Sequence, residues 1–237
     1  MSKIKVIIPN AGMSLSTLKD RERMLKAVAR EDTEISVDCI KGGPESIESN
    51  YDSLMASRYI LEEVKLAEKS GFDAIIIYCG GDPALDAARE IVNIPVIGPG
   101  EVSIHLASML SRRFTIISGS EEKFVKSRLN YSCLASIRSL NIPVVDLRDS
   151  KGVVKEAKES VIREGRKAIE EDGAQAIVLG CLGLAGISKE IQEELGVPVI
   201  DPAFVSINMA ELLIFSNLTH SKLAYPNPPK KKYYTQK

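Results

Sequence analysis

Short runs of β-branched apolar residues recur along the chain, and the stretches between them carry apolar residues at helical spacing. KIKVIIP reads as a first strand, and the segment around Leu18–Arg30 as a helix whose charged positions suit a solvated face. EISVDCI is the next strand, SNYDSLMASRYILEEVKLAEKSG a long amphipathic helix stopped at Gly71, and DAIIIYC a third strand. A helix from Pro83 to about Val92 and a fourth strand in IPVIGPG complete the series.

The pattern then begins again. RFTIISGS reads as a strand, Glu121–Leu140 as a helix, IPVVDLR as a strand and Lys155–Asp172 as a helix. AQAIVLGC, a helix at Ser188–Leu195 and VPVIDPA follow. Residues 101–111 are expected to join the halves as a helix, and Phe204–Phe215 to form a closing helix that packs back on the first half. Two passages align directly, EKSGFDAIIIYCGGDPALDAAREIVNIPVIGP with EEDGAQAIVLGCLGLAGISKEIQEELGVPVIDP. The step from Gly71 to Cys79 equals that from Gly173 to Cys181, which marks an internal duplication.

Strands alternating with helices predict an α/β protein. The expectation is two pseudo-symmetric three-layer α/β lobes, each with a mainly parallel four-stranded sheet, and an active site in the cleft between them. The first lobe is expected to span 1–100 and to regain about 204–237 through the closing helix and tail; the second spans 101–203.

Composition narrows the function classes. With 31 basic and 32 acidic residues in 237, no global field favours nucleic acid or an anionic membrane as partner. No apolar run is long enough to span a membrane, and MSKIKVIIPN is too short in its apolar part for a signal peptide, so a cytoplasmic protein is expected. Four cysteines without a CxxC pair, and only His105 and His220, argue against a disulfide framework and against a metal site. GPGEVS lacks the third glycine of a dinucleotide fingerprint, and SGSEEK lacks the Lys-Ser/Thr of a phosphate loop. The final AYPNPPKKKYYTQK reads as a solvated tail.

The duplicated cysteines carry the chemistry. Cys79 and Cys181 each stand where a buried strand gives way to a turn, the position at which open α/β sheets bind ligands. Gly80 and Gly81 in one turn, and Leu182 and Gly183 in the other, offer backbone N–H groups that favour a thiolate and bind carboxylate-like oxygens. Two opposed thiols suit removal of a proton from one face of a carbon and its return to the other, which is racemisation or epimerisation. Cys39 and Cys133 read as small apolar core residues. Asp82, before Pro83, reads as a helix cap or as an orienting group for the cysteine turn.

At these residues the sequence resembles the aspartate/glutamate/hydantoin racemase superfamily. CGGDPALDAARE followed by IPVIGPGE is similar to the first-cysteine signature of the hydantoin and allantoin racemase branch, and GCLGL to its second, with Leu184 in place of a methionine. The resemblance implies catalysis by Cys79 and Cys181 without cofactor, on a small-molecule substrate such as a 5-substituted hydantoin or an allantoin-like ureide. It also implies substrate contacts from Asn10, Ser118 and Gly119, and a homo-oligomer. Acidic-amino-acid racemases usually carry Thr, Glu or His after the second cysteine, where this chain has Leu182. An amino-acid racemase and a maleate cis-trans isomerase remain alternatives, as do a two-lobed binding protein and a thiol redox sensor.

Overall fold

The computed structural model describes residues 1–119, 131–147 and 154–232. In the first sheet, β1 (Ser2–Ile8), β2 (Thr33–Cys39), β3 (Ala74–Ile77) and β4 (Val96–Ile97) lie in the order β2-β1-β3-β4. In the second, β5 (Phe114–Ser118), β6 (Leu134–Ser139), β7 (Ala176–Leu179) and β8 (Val199–Ile200) repeat that order as β6-β5-β7-β8. The strand pairings among the described residues are all parallel, as the alternation predicts. The strands β3 (AIII) and β7 (AIVL) are buried at every residue, which is how strands covered on both faces are built.

The helices are α1 (Leu15–Lys26), α2 (Asn50–Lys69), α3 (Leu85–Ile91), α4 (Pro99–Leu110), α5 (Val144–Leu147), α6 (Val154–Asp172), α7 (Ser188–Leu195) and α8 (Pro202–Phe215). Ser14 and Ser49 begin α1 and α2, their hydroxyls accepting the N–H of Thr17 and of Asp52 at 3.1 Å.

The second half departs from the expected pattern in one place. The helix expected over Glu121–Leu140 gives way to β6 in its described part, and IPVVDLR, expected as a strand, supplies the short helix α5. Residues 120–130 of that expected helix lie outside the described residues. LASIRS has no strong preference of its own, so its neighbours decide. Thr115 and Ser136 share a hydroxyl hydrogen bond across β5 and β6 (2.7 Å), and Arg138 donates to Asp172 (2.7 Å) and Glu171 (2.6 Å) at the end of α6.

The helix after each sheet is traded to the other lobe. α4 follows the first sheet, yet Ile104 and Ala107 cluster with Phe114, Ile116 and Val178 of the second. α8 follows the second sheet, yet Ile207 and Ala210 cluster with Ile4, Val6 and Ile76 of the first. The duplication continues through both helices, PGEVSIHLAS against PAFVSINMAE. In each copy a fully buried serine hydroxyl donates back to the carbonyl of its proline, Ser103 to Pro99 and Ser206 to Pro202. Since α4 and α8 also pack on each other, separating the lobes would expose two cores at once.

The chain after α8 returns to the first lobe. Lys222 Nζ donates to the carbonyls of Arg89 (2.8 Å), Glu90 (3.1 Å) and Val92 (2.7 Å), taking the orphan acceptors at the end of α3. His220 Nε2 lies within hydrogen-bond distance of both the Val96 N–H (3.0 Å) and the Val96 carbonyl (2.9 Å), and burial lowers that imidazole's pKa. Arg89 donates to Tyr225 Oη (3.1 Å) while its guanidinium lies 5.3 Å from that ring. The solvated tail therefore starts later than expected: Tyr225 is anchored, and residues 226–232 are exposed. Lys222→Met is expected to lower stability by about 1–2 kcal/mol through the lost carbonyl partners. The corresponding drop of about 2–8 °C in melting temperature is read by circular dichroism, with turnover of the folded protein kept.

Candidate active site

Strand order places the cysteines. In β2-β1-β3-β4 the direction of winding reverses between β1 and β3, and in β6-β5-β7-β8 it reverses between β5 and β7. The crevice at the carboxyl ends of such a pair is where open α/β sheets bind ligands. Cys79 lies two residues past β3, and Cys181 two residues past β7. Each opens a tight turn of the same form: the Cys79 carbonyl accepts from Asp82 N–H (3.1 Å), and the Cys181 carbonyl from Leu184 N–H (3.0 Å). The first turn is strained, with Asp82 at φ +47° and Ala84 at φ +58°, a region that non-glycine residues seldom occupy.

The turns meet. A Cβ added to Gly80 would stand 2.1 Å from the Gly180 carbonyl oxygen, so the residue after Cys79 lies in backbone contact with the residue before Cys181. Chain geometry then bounds the separation of the two cysteine Cα atoms at about 10 Å. Both cysteines are half-buried residues, Cys79 packed against the α2–α3 core of its lobe and Cys181 against the α6–α7 core of the other.

Surroundings tune Cys181. Burial pushes its pKa up, and the Gly183 N–H directed at the sulfur, together with the Arg21 charge, works in the opposite direction. Arg21 is itself buried, on α1, and shares this region with Tyr78 and Asp201. The Tyr78 hydroxyl is buried beside the Arg21 guanidinium, and burial raises its pKa far above the phenol range, with Arg21 working in the opposite direction. Burial raises the Asp201 pKa as well, opposed by N–H groups of Gly186, Ala203 and Phe204. A cavity of about 410 Å³ is lined by Gly80, Gly81 and Gly180 of the turns together with Tyr131 and Tyr225; neither cysteine lines it.

A family model described as Asp/Glu/Hydantoin racemase matches residues 4–210. The chain belongs to this family. A hydantoin racemase of Pseudomonas sp. (strain NS671) is 40% identical, over 98% of this chain and 94% of that protein. A hydantoin racemase of Paenarthrobacter aurescens is 34% identical, over 98% and 99%. Among solved structures, the allantoin racemase from Klebsiella pneumoniae superposes with a TM-score of 0.90 at 35% identity, over 100% of this chain and 97% of that one. The two-lobed α/β architecture expected from the duplication is thus the architecture of the family, and the chain is an isomerase of the racemase class.

The other residues singled out in the sequence lie in differing surroundings. Asn10 is half-buried past the end of β1, the strand whose Ile7 carbonyl accepts the Tyr78 N–H (2.8 Å) just before Cys79. Ser118 ends β5 and is buried, its Cβ within 3.0 Å of where a Cβ on Gly180 would stand, and Gly119 is buried next to it. Leu182 crosses into the core of the first lobe, whereas Gly183 is pressed under Leu147, where a Cβ would come within 2.7 Å. Gly81 lines the 410 Å³ cavity. Asp82 does not cap α3, whose N-cap is Ala84; its carboxylate takes the Gly100 N–H (3.0 Å) and the Glu101 N–H (2.7 Å) at the start of α4. Cys39 and Cys133 are half-buried and pack against the cores of the first and second sheets, and Cys133 lies 3.1 Å from Ser108 Oγ, ahead of β6. Sequence reasoning missed Arg21, Tyr78 and Asp201. Only Asp201 left a mark, as the residue after the second Pro-Val-Ile where the first copy has Gly98. Among the described residues, no group of His, Cys, Asp and Glu is arranged to hold a metal, and no helix is long and apolar enough to cross a membrane.

Proposed function

We propose that this chain interconverts the enantiomers of a small cyclic ureide, a 5-substituted hydantoin or an allantoin-like ring, by proton transfer between Cys79 and Cys181 without a cofactor. The observation that supports the reading is the backbone contact of the two cysteine turns, Gly80 against the Gly180 carbonyl, with one cysteine from each lobe adjoining that contact. The names of the relatives and of the structural neighbour support the ring substrate. In the forward direction the Cys79 thiolate takes the proton from the stereocentre, and the C–H electron pair moves into the adjacent carbonyl as an enolate. The Cys181 thiol then donates its proton to the opposite face. The pair ends with Cys79 as thiol and Cys181 as thiolate, ready for the other enantiomer. Backbone N–H groups of the turns stabilise the enolate oxygen.

The working form holds one proton between two thiols, so the rate rises with pH as the first ionises and falls as the second is lost. Burial shifts the Cys181 pKa upward, and the alkaline fall is therefore expected above the ordinary thiol value of 9.0. Single enantiomers of several 5-substituted hydantoins and of allantoin, incubated in D₂O and followed by polarimetry and ¹H NMR across pH 6–11, test both statements. Aspartate, glutamate and maleate complete the panel. Turnover of these three with inert ureides would transfer the reading to an amino-acid racemase or a cis-trans isomerase. A fall in rate already complete at pH 8 would remove Cys181 as the protonated partner.

A further inference from the structure

The two halves of the chain diverge at two positions that compensate for each other. Three residues after the cysteine, the first half has Asp82 and the second Leu184; directly after Pro-Val-Ile, the first has Gly98 and the second Asp201. Asp201 caps its own helix α8, its Oδ1 accepting from Ala203 N–H (3.0 Å), and its Oδ2 accepts from the Gly186 N–H (2.7 Å), two residues past the Cys181 turn. In the first half the bridge runs the other way. Asp82 stands in the Cys79 turn and accepts the corresponding N–H groups of the next helix, those of Gly100 and Glu101.

Gly98 is not needed for its backbone. It adopts φ −98° and ψ 113°, beside −93° and 109° for Asp201, a conformation open to any residue. It is needed for space: a Cβ there would stand 2.8 Å from Asp82 Cγ and 2.9 Å from its Oδ1. Each half therefore has one carboxylate joining the cysteine segment to the N-terminus of the following helix, supplied from opposite ends of the same junction. α4 is a firm anchor, since its Gly100 lies against the Gly80 carbonyl, where a Cβ would come within 2.2 Å of the oxygen.

We propose that Asp82 is a positioning residue that holds the Cys79 turn on the N-terminus of α4, and that the same task can be moved to position 98. The proposal rests on the two-thiol reading given above. Asp82→Ala is expected to lower inversion about 100-fold, on the scale that a misplaced reacting group costs. Gly98→Asp alone is also expected to lower it, because two carboxylates then compete for one place. The double variant Asp82→Ala/Gly98→Asp is expected to return to within about tenfold of wild type, since removing the Asp82 carboxylate takes away two of the three atoms nearest a Cβ at position 98, and the third is the end of the Leu85 side chain.

A purely structural role for Asp82 would lower exchange and inversion together. Misplacement of Cys79 alone leaves Cys181 able to take a proton, exchange it with D₂O and return a deuteron to the same face. In Asp82→Ala the ratio of exchange to inversion is thus expected to rise at least threefold for one enantiomer only. Iodoacetamide alkylation, resolved by peptide mass spectrometry, supplies a readout independent of substrate. The Cys79 rate is expected to change at least threefold in Asp82→Ala and to recover in the double variant, while Cys181 stays within twofold of wild type. An inert wild type with this alkylation pattern overturns the substrate reading and leaves the positioning role standing. An active wild type overturns the positioning role if Asp82→Ala keeps its turnover, if both enantiomers change alike, or if the double variant stays at the level of the single ones. Asp82→Asn, which keeps the shape, serves if Asp82→Ala fails to fold, with the same ratio and alkylation criteria.

Discussion

Serine at position 181 is expected to lower net inversion of a hydantoin by at least about 10³-fold, the scale on which a positioned proton donor or acceptor matters. A serine hydroxyl is far less acidic than a thiol, so it neither donates a proton readily to the enolate nor holds the charge left by one. The loss is expected to be one-sided in its details. With Cys181→Ser, the enantiomer whose proton faces Cys79 still loses it to the thiolate, and the thiol, after trading with D₂O, returns a deuteron to the same face. That enantiomer incorporates deuterium without losing optical rotation, whereas its mirror image does neither. Cys79→Ser is expected to exchange the two behaviours. NMR for the C5 proton and polarimetry on one sample separate the processes. Inversion in either variant at the wild-type rate, with the fold intact, excludes the two-thiol mechanism. Loss of both exchange and inversion with both enantiomers points instead to a site in which only one cysteine contacts the carbon.

The legibility of this arrangement differed between its parts. Strand-helix alternation and the aligned Gly-to-Cys steps marked both sheets, because a strand buried on both faces must be continuously apolar and AIIIYC and AIVLGC show it. The cysteine positions followed from the same runs. β6 was not legible, because LASIRS is held as a strand by Ser136, Arg138 and their partners on β5 and α6 rather than by its own side-chain preference. Asp82 reads in the sequence as a cap of the following helix or as an orienting group, and its partners stay hidden because a sequence shows the helix that follows a residue and not the one folded against it. Its actual partners, Gly100 and Glu101, stand eighteen and nineteen residues away. Arg21 and Tyr78 were silent for a related reason: each lies within an ordinary amphipathic or apolar segment, and only the packing of α1 and α8 onto the first sheet draws them toward Cys181. The duplication itself runs further than the strands and cysteines. Its continuation through VSI in α4 and α8, and the Gly98/Asp201 difference, were present in the aligned letters but acquire meaning only once each helix is known to serve the opposite lobe.

Gly80→Ala is the change expected to do most damage for its size. Its single added methyl group would come within 2.1 Å of the Gly180 carbonyl oxygen, where normal contact needs more than 3 Å, and the obstacle is backbone rather than a side chain that can swing aside. Gly180 has no room to retreat. Its own Cα is hemmed by Ile116 Cγ2 and Ser118 Cβ, at 2.8 Å and 3.0 Å from where its Cβ would be, and its N–H is held by the Ile117 carbonyl at 2.7 Å. Gly80 has little room either, since its carbonyl lies against Gly100 at the head of α4. The strain must therefore push the cysteine turns apart. Overpacking of this kind costs about 1–3 kcal/mol or more in stability. A displacement near 1 Å at reacting groups lowers turnover about 100-fold even in molecules that remain folded. Gly196→Ala is the matched control: it lies at φ +69° with open space around it, so it is expected to cost about 1 kcal/mol of stability and to leave turnover of the folded protein unchanged. Melting curves and steady-state rates on the two variants separate strain at the junction from a general loss of stability. If Gly80→Ala behaved as Gly196→Ala does, the contact between the turns would have no part in holding the two thiols at one substrate.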